Sequence, residues 1–187
     1  MTDQKDAYYI RQVLEGNVNA YACLVEKYKG MVFTLAVRIL KDRETAEEVA
    51  QDVFVKSYQS LSGFKGNSKF ATWLYSITYN ASMDVLKRNK KFTASEAVER
   101  LSDTRTTPEE NALERLMTND RNEAVNAAVA ALPEEDRTII WLYYFDELSL
   151  REIAKVVNLS VANVKIKLYR SRKRLYTLLE HNTIITA

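Results

Sequence analysis

The chain has 187 residues, of which 47% are hydrophobic, enough for one ordinary domain or two small ones with buried cores. Its formal net charge is only +2, so a charged binding surface must come from how the 27 basic and 25 acidic residues are distributed. A single Cys23 and a single His181 exclude an internal disulfide and a zinc site, so we expect a cytoplasmic protein with no metal and no cofactor.

Few residues that break helices interrupt the sequence, which has only four glycines and two prolines. Apolar residues recur every three or four positions almost throughout, and this spacing predicts an all-α fold. The longest uncharged apolar stretch, TIIWLYYF, is far shorter than the roughly 20 residues that span a membrane, so we expect no membrane insertion. One polar segment, residues 93–112, contains Pro108 and five acidic residues. We interpret it as a flexible acidic linker between two small helical domains, residues 1–92 and 113–187.

The first charged helix is predicted in DRETAEEVAQDVFVKSYQSL and begins near Asp42. Thr45 and Glu48 have the spacing of a capping box, which would reinforce its start. The outward side is acidic and includes two apolar residues; its members are Glu47, Glu48, Gln51, Asp52, Val55, Tyr58 and Gln59. DNA would repel this side, so it indicates either a basic protein partner or an ordinary solvated surface.

A loop with two glycines and two lysines, SGFKGNSKF, precedes a long predicted helix, FATWLYSITYNASMDVLKRNKK. Phe70, Trp73 and Leu74 begin the predicted buried arc of that helix. The predicted exposed face combines aromatic and amide groups with cations, and it consists of Tyr75, Tyr79, Asn80, Met83, Lys87 and Lys90. Such a face can stack on unpaired bases while its lysines follow the phosphates. Exposed tyrosines also occur without a function, and the residues alone leave both interpretations open.

Two further helices follow one another with almost no loop in LSLREIAKVVNLSVANVKIKLYRSRKRL. Ser149 and Glu152 form a capping box that starts the first helix. Asn158 stands at the turn, because asparagine tolerates left-handed backbone angles, and Ser160 can cap the second helix. Two short helices joined in this way are a helix-turn-helix, whose second helix can lie in the DNA major groove.

The second helix of this pair carries six basic residues. A helical wheel places Val161, Val164, Leu168, Leu175 and Leu179 on the side that packs on the domain. The opposite side consists of Ala162, Asn163, Ile166, Arg170, Lys173 and Arg174, with Lys165, Lys167 and Arg172 at its flanks. Asn163 and Arg170 can read base edges while the flanking cations contact phosphates. The alternative is a solvated charged face, which the excess of six cations over a single acid disfavours.

Two segments of the sequence together resemble a family of transcription factors. AEEVAQDVFVKSYQSLSGFKGNSKFATWLYSITYNASMDVLKR is similar to the second conserved region of bacterial sigma-70 RNA polymerase sigma factors. LPEEDRTIIWLYYFDELSLREIAKVVNLSVANVKIKLYRSRKRL is similar to the fourth. Both occur in the family order with nothing substantial between or before them, which resembles the small extracytoplasmic-function (ECF) group.

The resemblance implies a transcription initiation factor rather than an enzyme. The acidic helix would dock on the beta-prime clamp of core RNA polymerase, and the beta flap is a second expected contact. The loop and long helix would recognise and melt the −10 promoter element, and the loop would contribute Phe64, Lys65, Asn67, Ser68 and Lys69. The helix-turn-helix would bind the −35 element as duplex DNA, with Ser160 and Tyr169 added to its surface. An anti-sigma factor, membrane-anchored in some relatives, is a further expected partner.

Many relatives carry Gly-Thr-Val where this chain has Ala162 to Val164, so the −35 sequence does not transfer from the family.

Other functions account for less of the sequence. A stand-alone helix-turn-helix regulator would use the second half alone and predicts operator binding without polymerase. A nuclease would need clustered carboxylates or a histidine base, and the sequence contains no glycine-rich phosphate loop of the GxxxxGK type, so we predict no catalytic residue.

Overall fold

The computed structural model describes residues 3–96 and 120–185, which fall into two compact units, one on each side of the gap. Within these ranges the regular elements are α-helices and one 3-10 turn, and the predicted all-α fold is confirmed. The first unit contains α1 (Gln4–Leu14), α2 (Asn19–Leu40), α3 (Arg43–Gln59), the 3-10 turn (Leu61–Gly63) and α4 (Phe70–Glu96). The second contains α5 (Asp120–Ala130), α6 (Glu134–Tyr144), α7 (Leu150–Val156) and α8 (Val161–Ile185).

The core of the first unit forms where α2, α3 and α4 pack against one another. Leu24 and Val32 of α2 are fully buried there with Val53 of α3 and with Phe70 and Leu74 of α4. Each such aliphatic or aromatic side chain contributes roughly 1.5–3 kcal/mol when it leaves water, so this cluster is the main source of stability. It leaves the opposite side of α3 free to face solvent.

A polar cluster attaches α1 to α2. Asp6, only 2% exposed, accepts a hydrogen bond from the Tyr28 hydroxyl at 2.6 Å and another from Lys27 Nζ at 2.6 Å. Burial opposes the charged form of Lys27, but its hydrogen bonds to Asp6 and Asp3 outweigh this and raise the pKa of Lys27 above its usual value. Burial and the Asp6 hydrogen bond raise the pKa of Tyr28 to about 12. The buried carboxylate therefore has two donors, and α1 is fixed in place.

The second unit has a separate core in which α8 packs against α5, α6 and α7. Ile139 and Leu142 of α6, Ile153 of α7 and Val164 of α8 are fully buried in it. Arg137 is also buried, and its guanidinium donates to the Ala130 carbonyl at the end of α5 at 3.3 Å. Burial lowers the pKa of Arg137. This arginine satisfies a carbonyl that the helix itself leaves without a partner.

One predicted helix cap and one predicted helix end differ from those in the structure. The carboxylate of Asp42 accepts the Thr45 N–H at 2.8 Å and caps α3, so the capping box predicted at Thr45 and Glu48 was wrong. Helix α4 continues to Glu96, four residues into the predicted linker 93–112, and residues 97–112 of that linker lie outside the described residues. Among the described helices, none combines the length and apolar character needed to cross a bilayer.

Candidate nucleic-acid interface and protein-docking surface

The outward side of α3 carries three acidic side chains, of which Glu47 accepts a hydrogen bond from Arg43 Nε at 3.0 Å. Because Ala46, Val49 and Val53 are buried, the helix turns its remaining sides to solvent. All seven predicted residues are exposed, and we refer to them as the acidic face: Glu47, Glu48, Gln51, Asp52, Val55, Tyr58 and Gln59. The face combines carboxylates with two exposed apolar side chains, a chemistry that suits a basic partner protein and repels DNA.

The loop of residues 62–69, which we call the −10 loop after the promoter element predicted for it, is anchored at one aromatic ring. Phe64 is half-buried, with its ring centroid 5.6 Å from that of Phe70 and 5.1 Å from that of Trp73. Gly66 has φ +69, a backbone conformation that other residues rarely adopt. The side chains that follow are polar: Lys65, Asn67 and Lys69 are exposed, and Ser68 is half-buried. The anchored loop therefore presents cations and amide groups to solvent.

The predicted exposed face of α4 was wrong at its two tyrosines. Tyr75 and Tyr79 are only 7% and 6% exposed, so they do not offer free rings to DNA bases. The apolar residues alone placed the buried arc incorrectly, because Thr72, Thr78 and Ser82 are also buried. The Thr78 hydroxyl donates to the carbonyl of the residue four positions earlier at 2.8 Å, which satisfies it inside the core.

Without the two tyrosines, the exposed part of the predicted α4 face is narrower than expected. Asn80 and Lys87 are exposed, and Met83 is half-buried. The backbone of Lys90 belongs to α4, but its side chain lies outside the described part of the chain. An amide, a thioether and a cation therefore remain along this strip, together with the polar side chains of the −10 loop.

The helix-turn-helix forms with the predicted caps. Ser149 Oγ accepts the Glu152 N–H at 3.3 Å, and the Glu152 carboxylate accepts the Ser149 N–H at 3.0 Å, which completes the capping box. Asn158 has φ +54 at the turn. Ser160 Oγ then accepts the Asn163 N–H at 3.2 Å and caps α8. These local bonds set where α7 and α8 begin.

Helix α8 presents most of its predicted polar side to solvent. Val164 and Leu168 are buried as predicted, whereas Val161 is 42% exposed and its predicted packing was wrong. Val161 is the first residue of the helix, and side chains lean toward the helix N-terminus, which directs it away from the packed segment. The exposed residues are Ala162, Asn163, Lys165, Ile166, Tyr169, Arg170, Arg172, Lys173 and Arg174.

Lys167 is the exception among the cations of α8. Its Nζ lies 2.7 Å from the Glu135 carboxylate and 2.8 Å from that of Asp136, both on α6. Burial disfavours the charged form of Lys167, but its hydrogen bonds to Asp136 and Glu135 outweigh this and raise its pKa. The structure therefore places this cation in an ion-pair cluster between helices, in conflict with its prediction as a phosphate contact. The wheel missed the pairing because the two acids lie about 30 positions earlier in the chain.

Arg172 has a different environment at the other flank of α8. Its guanidinium lies 5.4 Å from the ring centroid of Tyr143 and 5.5 Å from that of Tyr144. Within about 6 Å, such cation–π contacts are attractive and leave the N–H donors at the guanidinium edge accessible. Arg172 is therefore oriented by α6 while its side chain stays exposed and able to bind a phosphate.

Comparison with known proteins matches both halves of the chain. The Sigma-70 region 2 family matches residues 24–92, and the family described as Sigma-70, region 4 matches residues 122–175. The chain is 31% identical over 172 residues to the ECF RNA polymerase sigma factor SigW of Bacillus subtilis (strain 168), covering 89% of this chain and 92% of that relative. The chain belongs to the sigma-70 family of RNA polymerase sigma factors, in its ECF group. This sigma factor is also 33% identical over 180 residues to the RNA polymerase sigma-H factor of Pseudomonas aeruginosa, covering 92% and 93% of the two chains.

Two solved structures share the fold of this sigma factor. CnrH, solved in complex with the cytosolic domain of CnrY, aligns with a TM-score of 0.67 at 24% identity over 95% of this chain and 99% of that one. The sigma factor RpoE from Bartonella quintana, solved with the anti-sigma factor NepR, aligns with a TM-score of 0.68 at 18% identity over 86% and 96%.

The two family matches contain most of the surfaces described above. The acidic face, the −10 loop and the exposed strip of α4 lie in the region 2 match, and α6, α7 and the basic part of α8 lie in the region 4 match. Helix α1 ends at Leu14 and lies before residue 24, where the region 2 match begins.

Proposed function

We propose that this ECF sigma factor directs core RNA polymerase to promoters through three surfaces of different chemistry and catalyses no reaction itself. The observation that carries the proposal is the separation of charge: an acidic face on α3 in the first unit and a basic face on α8 in the second. A protein partner suits the acidic face and DNA suits the basic one. The factor works in the cytoplasm, where its polymerase and promoters are.

The acidic face is the proposed contact with the beta-prime clamp of the polymerase. Glu48 and Asp52 lie one helical turn apart and are both exposed, with the apolar Val55 beside them. Carboxylates steer a basic partner and fix its register, and the exposed apolar side chain is buried when the partner docks.

The −10 loop and the exposed strip of α4 are the proposed contacts with the melted −10 element. Lys65 and Lys69 follow the phosphates, while Asn67, Ser68 and Asn80 hydrogen-bond to unpaired bases. Met83 and Lys87 continue this surface, and Lys90 is a further proposed contact whose side chain lies outside the described part of the chain. Because these groups bind single-stranded DNA better than duplex, they shift the equilibrium toward the open promoter. Tyr75 and Tyr79 are not part of this surface.

The recognition helix α8 is the proposed contact with the −35 element in duplex form. Asn163 and Arg170 read base edges, and Ala162 and Ile166 contact thymine methyl groups. The phosphates are bound by Lys165, Arg172, Lys173 and Arg174. Lys167 instead pairs with Glu135 and Asp136 of α6 and holds α8 against that helix.

An anti-sigma factor is a proposed partner of this chain. CnrH and the Bartonella RpoE were each solved with another protein bound, CnrY and the anti-sigma factor NepR respectively, and both share this fold. A protein that covers the acidic face or α8 would block the polymerase or the promoter, so we propose inhibition by such a protein.

The proposal is tested by capture of purified bacterial core RNA polymerase on the immobilised full-length chain. We expect stable capture by the wild type and at least a tenfold loss when Glu48→Lys and Asp52→Lys are combined, because two attractive charges become repulsive at the docking surface. A charge-matched control combines Glu15→Lys and Glu26→Lys, two exposed acids outside the acidic face, and should bind normally. Failure of the wild type to bind a cognate core would favour a stand-alone DNA-binding regulator.

A further inference from the structure

A buried carboxylate on α1 belongs to none of the three proposed surfaces. Asp6 is only 2% exposed, and its Oδ2 accepts a hydrogen bond from the Tyr28 hydroxyl at 2.6 Å. Its Oδ1 accepts a second from Lys27 Nζ at 2.6 Å. A buried charged group adds little net stability compared with apolar side chains of the same volume, but its hydrogen bonds are directional. The bond to Asp6 therefore orients the Tyr28 side chain as well as attaching α1 to α2.

Three aromatic rings run from α2 to the −10 loop, and we call them the aromatic relay: Tyr28, Phe70 and Phe64. The Phe70 ring is fully buried, and its centroid lies 5.6 Å from that of Tyr28 and 5.6 Å from that of Phe64. Both separations lie within the roughly 4.5–7 Å at which aromatic rings attract each other. Because a protein interior is close-packed, a displaced Tyr28 ring shifts the rings next to it.

The last ring of the aromatic relay determines where the polar part of the −10 loop begins. Phe64 is half-buried, and its N–H donates to the Leu61 carbonyl at 3.0 Å. The exposed Lys65 follows it directly in the chain. A shift of Phe64 therefore moves the cations and amide groups that we assign to DNA. A loop that is held in its binding position before DNA arrives has a lower ordering cost on binding.

We propose that Asp6 and Tyr28 are positioning residues for promoter opening, which act through Phe70 and Phe64 to hold the −10 loop in its DNA-binding position. The inference rests on the proposed function of that loop, and neither positioning residue contacts DNA. Asp6 lies before residue 24, where the region 2 match begins, so that match assigns it no role. Helix α1 thus supports −10 recognition from the core side of the loop.

The main test is Tyr28→Phe, which keeps the ring and removes only the hydroxyl. Its matched control is Tyr21→Phe, the same change on the same helix, where the hydroxyl donates to the Phe54 carbonyl of α3 at 2.8 Å. Each full-length variant is assembled with core polymerase on a promoter fragment that the wild type selects from a random duplex library. Permanganate reactivity of the −10 thymines per bound holoenzyme measures opening, and polymerase capture is measured separately.

We expect Tyr28→Phe to lower opening by about threefold, because part of the free energy of one hydrogen bond is lost from the loop position. Asp6→Ala removes the acceptor of the same bond and should lower opening at least as much, whereas Tyr21→Phe should match the wild type. In a Phe64→Leu background, Tyr28→Phe should cause no further loss, because it acts through the ring that is missing.

Trp73 provides a second readout, since its ring centroid lies 5.1 Å from that of Phe64. A Trp141→Phe background leaves Trp73 as the only tryptophan of the chain. We expect Tyr28→Phe to change acrylamide quenching of Trp73 in the free, folded factor, and Tyr21→Phe to leave the quenching unchanged. A general loss of stability would affect both variants alike.

Three results would overturn the positioning role and leave the sigma-factor proposal intact. They are equal opening by Tyr28→Phe and Tyr21→Phe, additive losses for Tyr28→Phe and Phe64→Leu, and equal Trp73 quenching in the two tyrosine variants. A wild-type chain that binds no cognate core, or whose holoenzyme opens no selected fragment, would instead overturn the proposed function and the positioning role with it.

Discussion

Two lysines of α8, Lys165 and Lys167, lie two positions apart in the sequence but have different surroundings. Lys165 is exposed on the side that we assign to DNA, whereas Lys167 is held by two carboxylates of α6 at 2.7 and 2.8 Å. A lysine that contacts phosphate releases counterions when it binds, but a lysine that is already paired in the free protein releases none. The two side chains therefore have different effects on the salt dependence of DNA binding.

We expect Lys165→Ala to reduce the slope of log affinity against log salt by about one unit. Lys167→Met should leave the slope unchanged while it weakens binding, because α8 loses its link to α6. The measurement is a salt titration of holoenzyme on the upstream duplex part of a selected promoter. Combining Lys167→Asp with Asp136→Lys reverses the pair and should restore part of the lost affinity. An equal drop in slope for both single variants would place Lys167 on the phosphates instead.

At the residue scale, the sequence predicted two local features of the helix-turn-helix, although it misplaced the cap of α3. The cap at Ser149 and the left-handed turn at Asn158 depend on neighbours within a few positions, so both were predicted correctly. The burial of Tyr75 and the pairing of Lys167 depend on helices distant in sequence, and the pattern of one helix contains no information about them.

At the scale of elements, α4 and α8 differ in how well one apolar stripe describes them. Helix α8 contacts α5, α6 and α7, and its wheel placed Val164 and Leu168 correctly but missed the buried Ser171. Helix α4 packs on both α2 and α3, and its buried arc extends past the apolar residues to include threonine, serine and tyrosine side chains. A helix in the centre of a bundle has a wider buried arc than a hydrophobic stripe indicates. The exposed strip of α4 is correspondingly narrow.

The turn between α7 and α8 provides a prediction about stability. Asn158 has φ +54, where a residue with a Cβ and no local polar group is strained by about 1 kcal/mol, and glycine is not. We expect Asn158→Ala to lower the free energy of unfolding of the second unit by about 1 kcal/mol, and Asn158→Gly to leave it nearly unchanged. Urea unfolding followed by Trp141 fluorescence in a Trp73→Phe background measures that unit. Equal stability of the two variants would contradict a strained turn.

At the scale of the whole molecule, the sigma factor has two units with separate cores, and we propose that promoter recognition is divided between them. The described residues of each unit bury their own apolar clusters, and the proposed −10 and −35 surfaces lie on different units. Changes at distant sites with no shared partners combine additively in free energy, usually to within about 0.5 kcal/mol. Recognition of the two promoter elements should therefore be separable by mutation.

A four-variant cycle tests this separation on one selected promoter. Asn80→Ala with Lys87→Ala should lower permanganate reactivity of the −10 thymines and leave the duplex −35 footprint intact. Asn163→Ala with Arg170→Ala should instead weaken and broaden −35 selection, because the lost side chains read base edges and each good pair discriminates by about 1–3 kcal/mol. When all four changes are combined, the loss in open-complex formation should equal the sum of the two losses in free energy. A coupling well above 0.5 kcal/mol would show that the polymerase joins the two units into one cooperative reader, and the elements would then have to be studied together.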